Sequence, residues 1–382
     1  MDFEYSADQR KWHDAAVAFA REHLVDPDSL GRDRRAEFWR EGYERCAKFG
    51  AAGLPVPKEY GGQGEEIATA VAAMEGLGYA CPDTGLLFSL NASLWTITMP
   101  ILVFGDEAQK QRYLPPLCDG RSFGANGASE PEAGSDIFSM KTRAERKGDK
   151  WIVNGRKIWI TGGPVADVFL FFATTDPTKG VLGITAFLVE AGTPGFQVVR
   201  DIQKLGMRTA PMGELVFENV ELPAEALLGR EGRGSRIFNQ ALEWERGAIL
   251  ASVVGTMQRQ VERCIERARK RKQFGQSIGK FQSVSNRIVD MLTRVETSRY
   301  MVHRYAWLKK QGKDATIAAS MAKLHVSECF AQNSLDAVRI FGAQGYTEEE
   351  GLERDVRDST GGVLFSGTND IQRNIIAQHL RI

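Results

Sequence analysis

Two glutamates stand close together in Leu242-Glu243-Trp244-Glu245-Arg246-Gly247, inside a stretch whose apolar spacing predicts a helix. Helical geometry points them apart. Glu243 has Asn239, Gln240, Arg246 and Gly247 as its i±3 and i±4 neighbours, a mostly polar face. Glu245 has Ala241, Leu242, Ala248 and Ile249, an apolar one. A carboxylate on an apolar face is costly as an ion, so it takes a cationic partner or holds its proton to a higher pH. In the first case Glu245 is structural. In the second it suits general-base work near neutrality. The pattern leaves both readings open.

Other runs place polar and aromatic groups where a ligand could meet them. Ala125-Asn126-Gly127-Ala128-Ser129-Glu130-Pro131-Glu132-Ala133-Gly134-Ser135-Asp136 is turn-rich, and its small residues admit close backbone approach while Ser129 and Ser135 offer hydroxyls. Alone it reads as an ordinary loop. Trp159-Ile160-Thr161 lies on a β-rich run, where a lone Trp is usually core. Arg271-Lys272-Gln273-Phe274-Gly275 ends a basic helix that also carries Arg267, Arg269 and Lys270, by itself a solvated face. Phe281-Gln282, Arg339-Ile340-Phe341-Gly342-Ala343-Gln344-Gly345-Tyr346 and Val363-Leu364-Phe365-Ser366-Gly367-Thr368-Asn369-Asp370-Ile371-Gln372-Arg373 complete the set.

Three regions must position these groups. Residues 1–121 read as helical, with runs at Gln9–His23, Ala36–Phe49, Ile67–Gly78 and Leu86–Phe104, and a Gly- and Pro-rich loop between Pro55 and Gly64. Residues 122–231 read as a β domain. Trp151-Ile152-Val153 and Lys157-Ile158-Trp159-Ile160 flank Asn154-Gly155, a hairpin signal, and Val168–Ala173, Ile184–Val189 and Leu215–Val220 read as strands. Residues 232–382 return to helix at Ile237–Lys272, Ser283–Gln311, Asp314–Phe341 and Thr368–Leu380.

Composition narrows the function classes. Lys plus Arg and Asp plus Glu both total 49 in 382 residues, which gives no electrostatic reason to expect nucleic acid or an anionic membrane as partner. The longest apolar stretches read as too short to span a bilayer. The acidic start Met1-Asp2-Phe3-Glu4-Tyr5 lacks the regions of a signal peptide, so a cytoplasmic location is expected. Cys46, Cys81, Cys118, Cys264 and Cys329 lack metal-ligand or paired spacing, so reduced thiols and no metal are expected.

Taken in order along the chain, these runs resemble the acyl-CoA dehydrogenase superfamily over essentially the whole sequence. The resemblance implies a mainly α fold with a β insert: an N-terminal helical domain, a barrel-like middle β domain and a C-terminal four-helix bundle. It implies FAD as cofactor. Asn126, Ala128 and Ser129 would meet the flavin ring, with Ser129 in place of the family's threonine. Ser135 would reach a phosphate or the substrate. Trp159 and Thr161 would flank the ring, and Arg271, Phe274, Phe281, Gln282, Arg339, Gly342 and Ala343 would approach the cofactor from a neighbouring subunit of a homotetramer. Ala343 replaces the usual second glycine. Thr368 and Asp370 match cofactor-contacting positions.

Many members carry their base directly before the Gly-Thr pair, where this chain has Ser366, a neutral hydroxyl unable to take an α-proton near neutral pH. One branch keeps the base on the helix instead, in a Leu-x-x-Glu-Arg context, which Leu242, Glu245 and Arg246 match. The resemblance therefore selects Glu245 as base, with Arg246, Trp244, Ser366 and Gly367 on the substrate side. Trp244 could narrow the pocket or pack the helix.

The combination of Trp244-Glu245-Arg246, Ile340-Phe341-Gly342 and Phe365-Ser366-Gly367-Thr368 is similar to carrier-protein-dependent dehydrogenases of natural-product pathways, which act on prolyl groups. The implied reaction is α,β-dehydrogenation of a prolyl or short acyl thioester on an acyl or peptidyl carrier protein. Electrons would pass to electron-transfer flavoprotein or oxygen. A short- or branched-chain CoA thioester, and a flavin-dependent oxygenase or oxidase on the same scaffold, are the alternatives. A DNA-associated binding protein is disfavoured by the neutral charge.

Overall fold

The computed structural model describes residues 4–382, so Met1, Asp2 and Phe3 of the acidic start lie outside the described residues. The chain opens with α1 (Ala7–His23), α2 (Ser29–Arg35), α3 (Arg40–Lys48), α4 (Ile67–Ala80), α5 (Thr84–Ser93), a π-turn at Leu94–Thr98, α6 (Met99–Phe104) and α7 (Glu107–Asp119). Reciprocal capping boxes start two of them, Ser6 with Gln9 and Asp106 with Gln109.

The middle strands are β1 (Gly124–Gly127), β2 (Arg143–Lys147), β3 (Lys150–Thr161), β4 (Val168–Thr174), β5 (Ile184–Glu190), β6 (Phe196–Asp201), β7 (Met212–Pro223) and β8 (Leu227–Leu228). They form one curled sheet in the order β6-β7-β3-β2-β4-β5-β8, with β1 parallel to β4. The C-terminal helices are α8 (Gly234–Ala248), α9 (Ala251–Lys270), α10 (Gln282–Lys310), α11 (Thr316–Phe341), α12 (Ala343–Tyr346), α13 (Leu352–Gly362) and α14 (Asn369–Leu380). A small hairpin of β9 (Lys272–Gln273) and β10 (Gln276–Ser277) separates α9 from α10. Helices α8 to α11 pack as a bundle, and α13 and α14 close it against α11. The architecture is mainly α with a β insert.

Three expectations are corrected. Asn154-Gly155 is not a hairpin turn, because β3 runs straight through it. The register against β7 slips between Val153 and Gly155, so the pair forms a bulge, held where Asn154 Nδ2 donates to Asn219 Oδ1 at 3.2 Å and Asn219 N–H donates to Asn154 Oδ1 at 2.8 Å. The hairpin turn is Gly148-Asp149, with Gly148 at φ 65°. The expected single helix Ile237–Lys272 breaks at Ile249-Leu250. The break redirects α9 onto α4 at near backbone contact: a Cβ on Gly78 would lie 1.7 Å from Ser252 O, and one on Gly255 would lie 2.0 Å from Glu75 O.

The third correction concerns membrane-spanning length. Helices α5 and α6 join through the π-turn into one run, Thr84–Phe104, long and apolar enough to cross a bilayer. Of its most apolar window, 83% is buried inside the protein, as expected of a core helix. Among missed elements, α2 carries a basic run, β6 is mostly exposed, and α13 is polar around buried charges.

Candidate active site

Helix α8 brings the two glutamates to different surroundings. Glu243 is spent on structure: its carboxylate accepts from Lys309 Nζ at 2.7 Å and Thr316 Oγ1 at 3.0 Å. Glu245 is buried at 9% exposure. Burial pushes its pKa up to about 6, against the opposing pull of the Ser366 hydroxyl, Arg246 and Lys323. Trp244 packs into the core with Lys309 Nζ 5.8 Å above its ring, and it does not line the groove on the polar face of α8 where Glu243 and Arg246 stand.

The turn before α14 faces Glu245. Ser366 adopts φ 58°, a conformation costly outside glycine, and Gly367 follows at φ 83°. Two side chains, half-buried Arg246 and buried Gln372, hold the strained turn. Arg246 Nε donates to Ser366 O at 2.9 Å, and Gln372 Nε2 donates to Ser366 O at 3.2 Å and Gly367 O at 2.8 Å. With both carbonyls engaged, the amide N–H groups of Ser366 and Gly367 donate to no acceptor among the described residues. Thr368 caps α14 through Ile371 N–H at 3.3 Å, and exposed Asp370 pairs with Arg373 at 3.2 Å.

Lys323 was not among the sequence candidates. It is fully buried on α11, donates to Asn369 Oδ1 at 2.8 Å and lies 5.8 Å from the Phe365 ring. Burial, together with Arg246, pushes its pKa down to about 7. Its helix supplied a signal: Ala319, Ala322, Val326 and Ser327 share the buried stripe on which this lone lysine falls.

On the β side, Ser129 and Trp159 lie together because Ile158 N–H donates to Ser129 O at 3.0 Å. The register of β3 slips again between Lys157 and Ile160, and Trp159 at φ 59° turns outward with 49% of its surface exposed. This is not the usual place of a core tryptophan. Lys157, also missed, anchors the loop from beneath. It is fully buried, with Nζ 2.8 Å from Glu130 Oε1 and 3.1 Å from Ala128 O, while Glu130 also accepts from Lys141 N–H at 2.6 Å and Thr142 N–H at 3.0 Å. Ser135 is exposed at the loop's tip. Asn126 Oδ1 is buried without a partner, and Ser129 and Thr161 are half-buried. An orphaned polar atom, two hydroxyls and an outward indole suit a flat heteroaromatic ring with polar edges, as a flavin has. The π-turn packs between β1 and α8, linking this surface to the Glu245 side.

The remaining candidates gather elsewhere. Arg271 caps α9, and Phe274 at φ 51° forms the hairpin tip with 94% of its surface exposed, edge-on to Phe281 at 6.1 Å. Gln282 opens α10. Arg339 pairs with Asp336 at 3.2 Å, and Arg267 lies 5.3 Å from the Phe341 ring, joining the ends of α9 and α11. Gly342 holds φ 67° and ψ −141°, a glycine-only conformation, whereas Ala343 simply begins α12. From Lys323 to Phe341 along α11 is roughly 27 Å, which sets this group toward the far end of that helix from the Glu245–Lys323 side.

Comparison with known proteins gives the class that this fold and site define. Family profiles described as acyl-CoA dehydrogenase N-terminal, middle and C-terminal domains match residues 6–121, 125–220 and 232–381. The chain belongs to the acyl-CoA dehydrogenase family. It is a flavoprotein that uses FAD, an oxidoreductase acting on the CH–CH bond of acyl thioesters.

Within the family it is similar to the L-prolyl-[peptidyl-carrier protein] dehydrogenase of a Serratia species, 40% identical over 380 residues, covering 100% of this chain and 98% of the relative. Its structure is similar to that of the prolyl acyl carrier protein oxidase AnaB, with TM-score 0.97 and 45% identity over 99% of this chain and 100% of the other. It is also similar to PigA with FAD and proline, with TM-score 0.97 and 40% identity over 100% and 99% of the two chains.

Proposed function

We propose that the chain oxidises the Cα–Cβ bond of an aminoacyl or short acyl group held as a thioester on a carrier protein, a prolyl group first among candidates. The carrying observation is the buried Glu245 carboxyl beside the strained Ser366-Gly367 turn. Bound FAD supplies the acceptor for the hydrogen leaving Cβ. Glu245 takes the α-proton onto its carboxylate, and its pKa of about 6 leaves it ionised yet basic near neutrality. The uncommitted N–H groups of Ser366 and Gly367 suit the thioester oxygen, where charge develops as the proton leaves. Arg246 acts by fixing that turn.

Asn126, Ala128, Ser129, Trp159 and Thr161 would hold the flavin ring, and Ser135 a phosphate. The distant group at the bundle end, Arg271, Phe274, Phe281, Gln282, Arg339, Gly342 and Ala343, is read as serving a neighbouring copy in a homotetramer. Thr368 and Asp370 complete the set. Electron-transfer flavoprotein or oxygen would reoxidise the cofactor.

The test is anaerobic mixing of purified protein with prolyl- and short-acyl-loaded carrier proteins beside the matching CoA thioesters. Loss of the flavin band with prolyl-carrier supports the reading. Bleaching by CoA thioesters alone moves the assignment to short-chain acyl-CoA oxidation. No bleaching by any thioester removes the dehydrogenase mechanism for these substrates and leaves oxygen chemistry to be tested by oxygen uptake.

A further inference from the structure

The polar face of α8 opens on a groove of about 660 Å³ lined by Ser235, Asn239, Gln240, Glu243, Arg246 and Ile375 among others. Arg246 marks its inner end, beside the Ser366 turn, and Ser235 and Arg236 mark its outer end. Ten residues of α8 separate Arg246 from Arg236, about 15 Å of helix. That distance suits an extended phosphopantetheine arm running from the reacting thioester to the surface.

The outer end is basic. Arg230, Arg233 and Arg236 are all exposed, and none pairs with a carboxylate among the described residues. Several other surface arginines are paired: Arg34 with Glu348, Arg35 with Asp28, Arg112 with Glu190 and Arg373 with Glu328. The one carboxylate within this segment is Glu231, beside Lys179. Helix α8 begins here with no acidic residue in its first turn, so its positive end is also uncompensated. Next to the arginines stand two exposed apolar side chains, Val181 at 46% and Leu182 at 58%. The two loops are packed together, since Gly232 N–H donates to Thr185 Oγ1 at 2.9 Å and a Cβ on Gly232 would lie 2.6 Å from Leu182 O.

We infer that this rim, Arg230, Arg233 and Arg236 with Val181 and Leu182, is the docking face for an acidic carrier protein whose arm enters the α8 groove. The inference rests on the proposed use of carrier-bound substrate and adds where the carrier sits. A carrier presents a phosphodiester at the root of its arm, and carboxylates around that root would meet the three arginines. The apolar pair supplies the small dry centre that such a transient interface needs. The rim would set encounter rate, while the groove and Glu245 set chemistry.

The experiment compares wild type with R230E/R233E on one acyl group in three forms: carrier-bound, CoA-bound and as a truncated pantetheine thioester. Arg230 and Arg233 lie outside the groove and outside the flavin surface, and flavin absorbance checks the fold. The expected result is a KM for the carrier substrate raised at least tenfold with kcat little changed, and a weakened salt dependence, while pantetheine thioester turnover stays at the wild-type level. V181D/L182D should give the same selective loss. An unchanged KM for the carrier substrate in both variants overturns the docking face. Equal loss on carrier and CoA substrates also overturns it, since the arginines would then read only a shared phosphate. Wild type that ignores every loaded carrier but turns over CoA thioesters sinks the substrate reading itself, a result distinguishable from the other two.

Discussion

At the scale of residues, the chemistry rests on how α8 divides two carboxylates. Replacing Glu245 by Gln keeps the shape and removes the proton acceptor. Substrate-driven flavin bleaching should slow by roughly 10³-fold with FAD content unchanged. For wild type, kcat/KM should fall tenfold per pH unit below about 6, because protonation of Glu245 withdraws the base. A flat profile from pH 5 to 7 would place the base elsewhere.

The same group has a thermodynamic signature of opposite sense. Its folded-state pKa is raised above the ordinary 4.5, so the folded protein holds the proton more tightly, and the cost of burying the ion is fully present above pH 6. E245Q should therefore be more stable than wild type at pH 8, by up to about 2 kcal/mol, and the gap should close as pH falls toward 4.5. Thermal melts at both pH values check this. Glu243→Gln should instead destabilise, since it strips Lys309 and Thr316 of a partner.

At the scale of elements, the sequence was legible where one period ran unbroken. Helices α1, α4, α10 and α14 lie within two residues of their expected bounds, because apolar residues at helical spacing run through each without a break. It misled where a local rule met tertiary demand. Asn154-Gly155 has hairpin chemistry, yet β7 is long enough to pair on both sides of it, so the extra residue became a bulge. The α8–α9 break carries no glycine or proline at Ile249-Leu250, and its cause is the distant contact of α9 with α4. The buried cations Lys157 and Lys323 escaped because their partners, Glu130 and Asn369, lie far away in sequence.

The departure at Ala343 has an elemental explanation. The unusual backbone belongs to Gly342, so G342A should lower Tm and raise the FAD dissociation constant several-fold, whereas A343G should leave both nearly unchanged. Thermal melts and flavin titration distinguish the pair.

At the scale of the whole molecule, two features set behaviour. A buried charge network joins the three regions. Arg354 on α13 reaches Asp83 at 2.9 Å, Arg357 reaches Asp33 at 2.8 Å, and Thr209 of the β domain donates to Asp83 at 2.6 Å. Separate melting of the β insert would strand buried charges, so calorimetry should record one cooperative transition.

The second feature is the candidate site, whose Glu245–Lys323 side and bundle-end group lie toward opposite ends of α11. If copies share it, coexpressed E245Q and R271A subunits form some sites carrying both lesions and others carrying neither. The hybrid should recover a substantial fraction of wild-type activity although each parent is nearly inactive. Recovery no greater than the parents' average would refute sharing between copies.

The hairpin tip carries a further consequence, for the life of the chain in a cell. Phe274 is 94% exposed and Tyr346, at the same end of the bundle, 81%. A subunit without neighbours or flavin therefore presents apolar aromatic surface to chaperones and proteases, which remove such species. Under the shared-site reading, flavin between copies covers that surface and withdraws the chain from triage. Riboflavin supply would then govern how much of the protein persists, as well as how much of it is active.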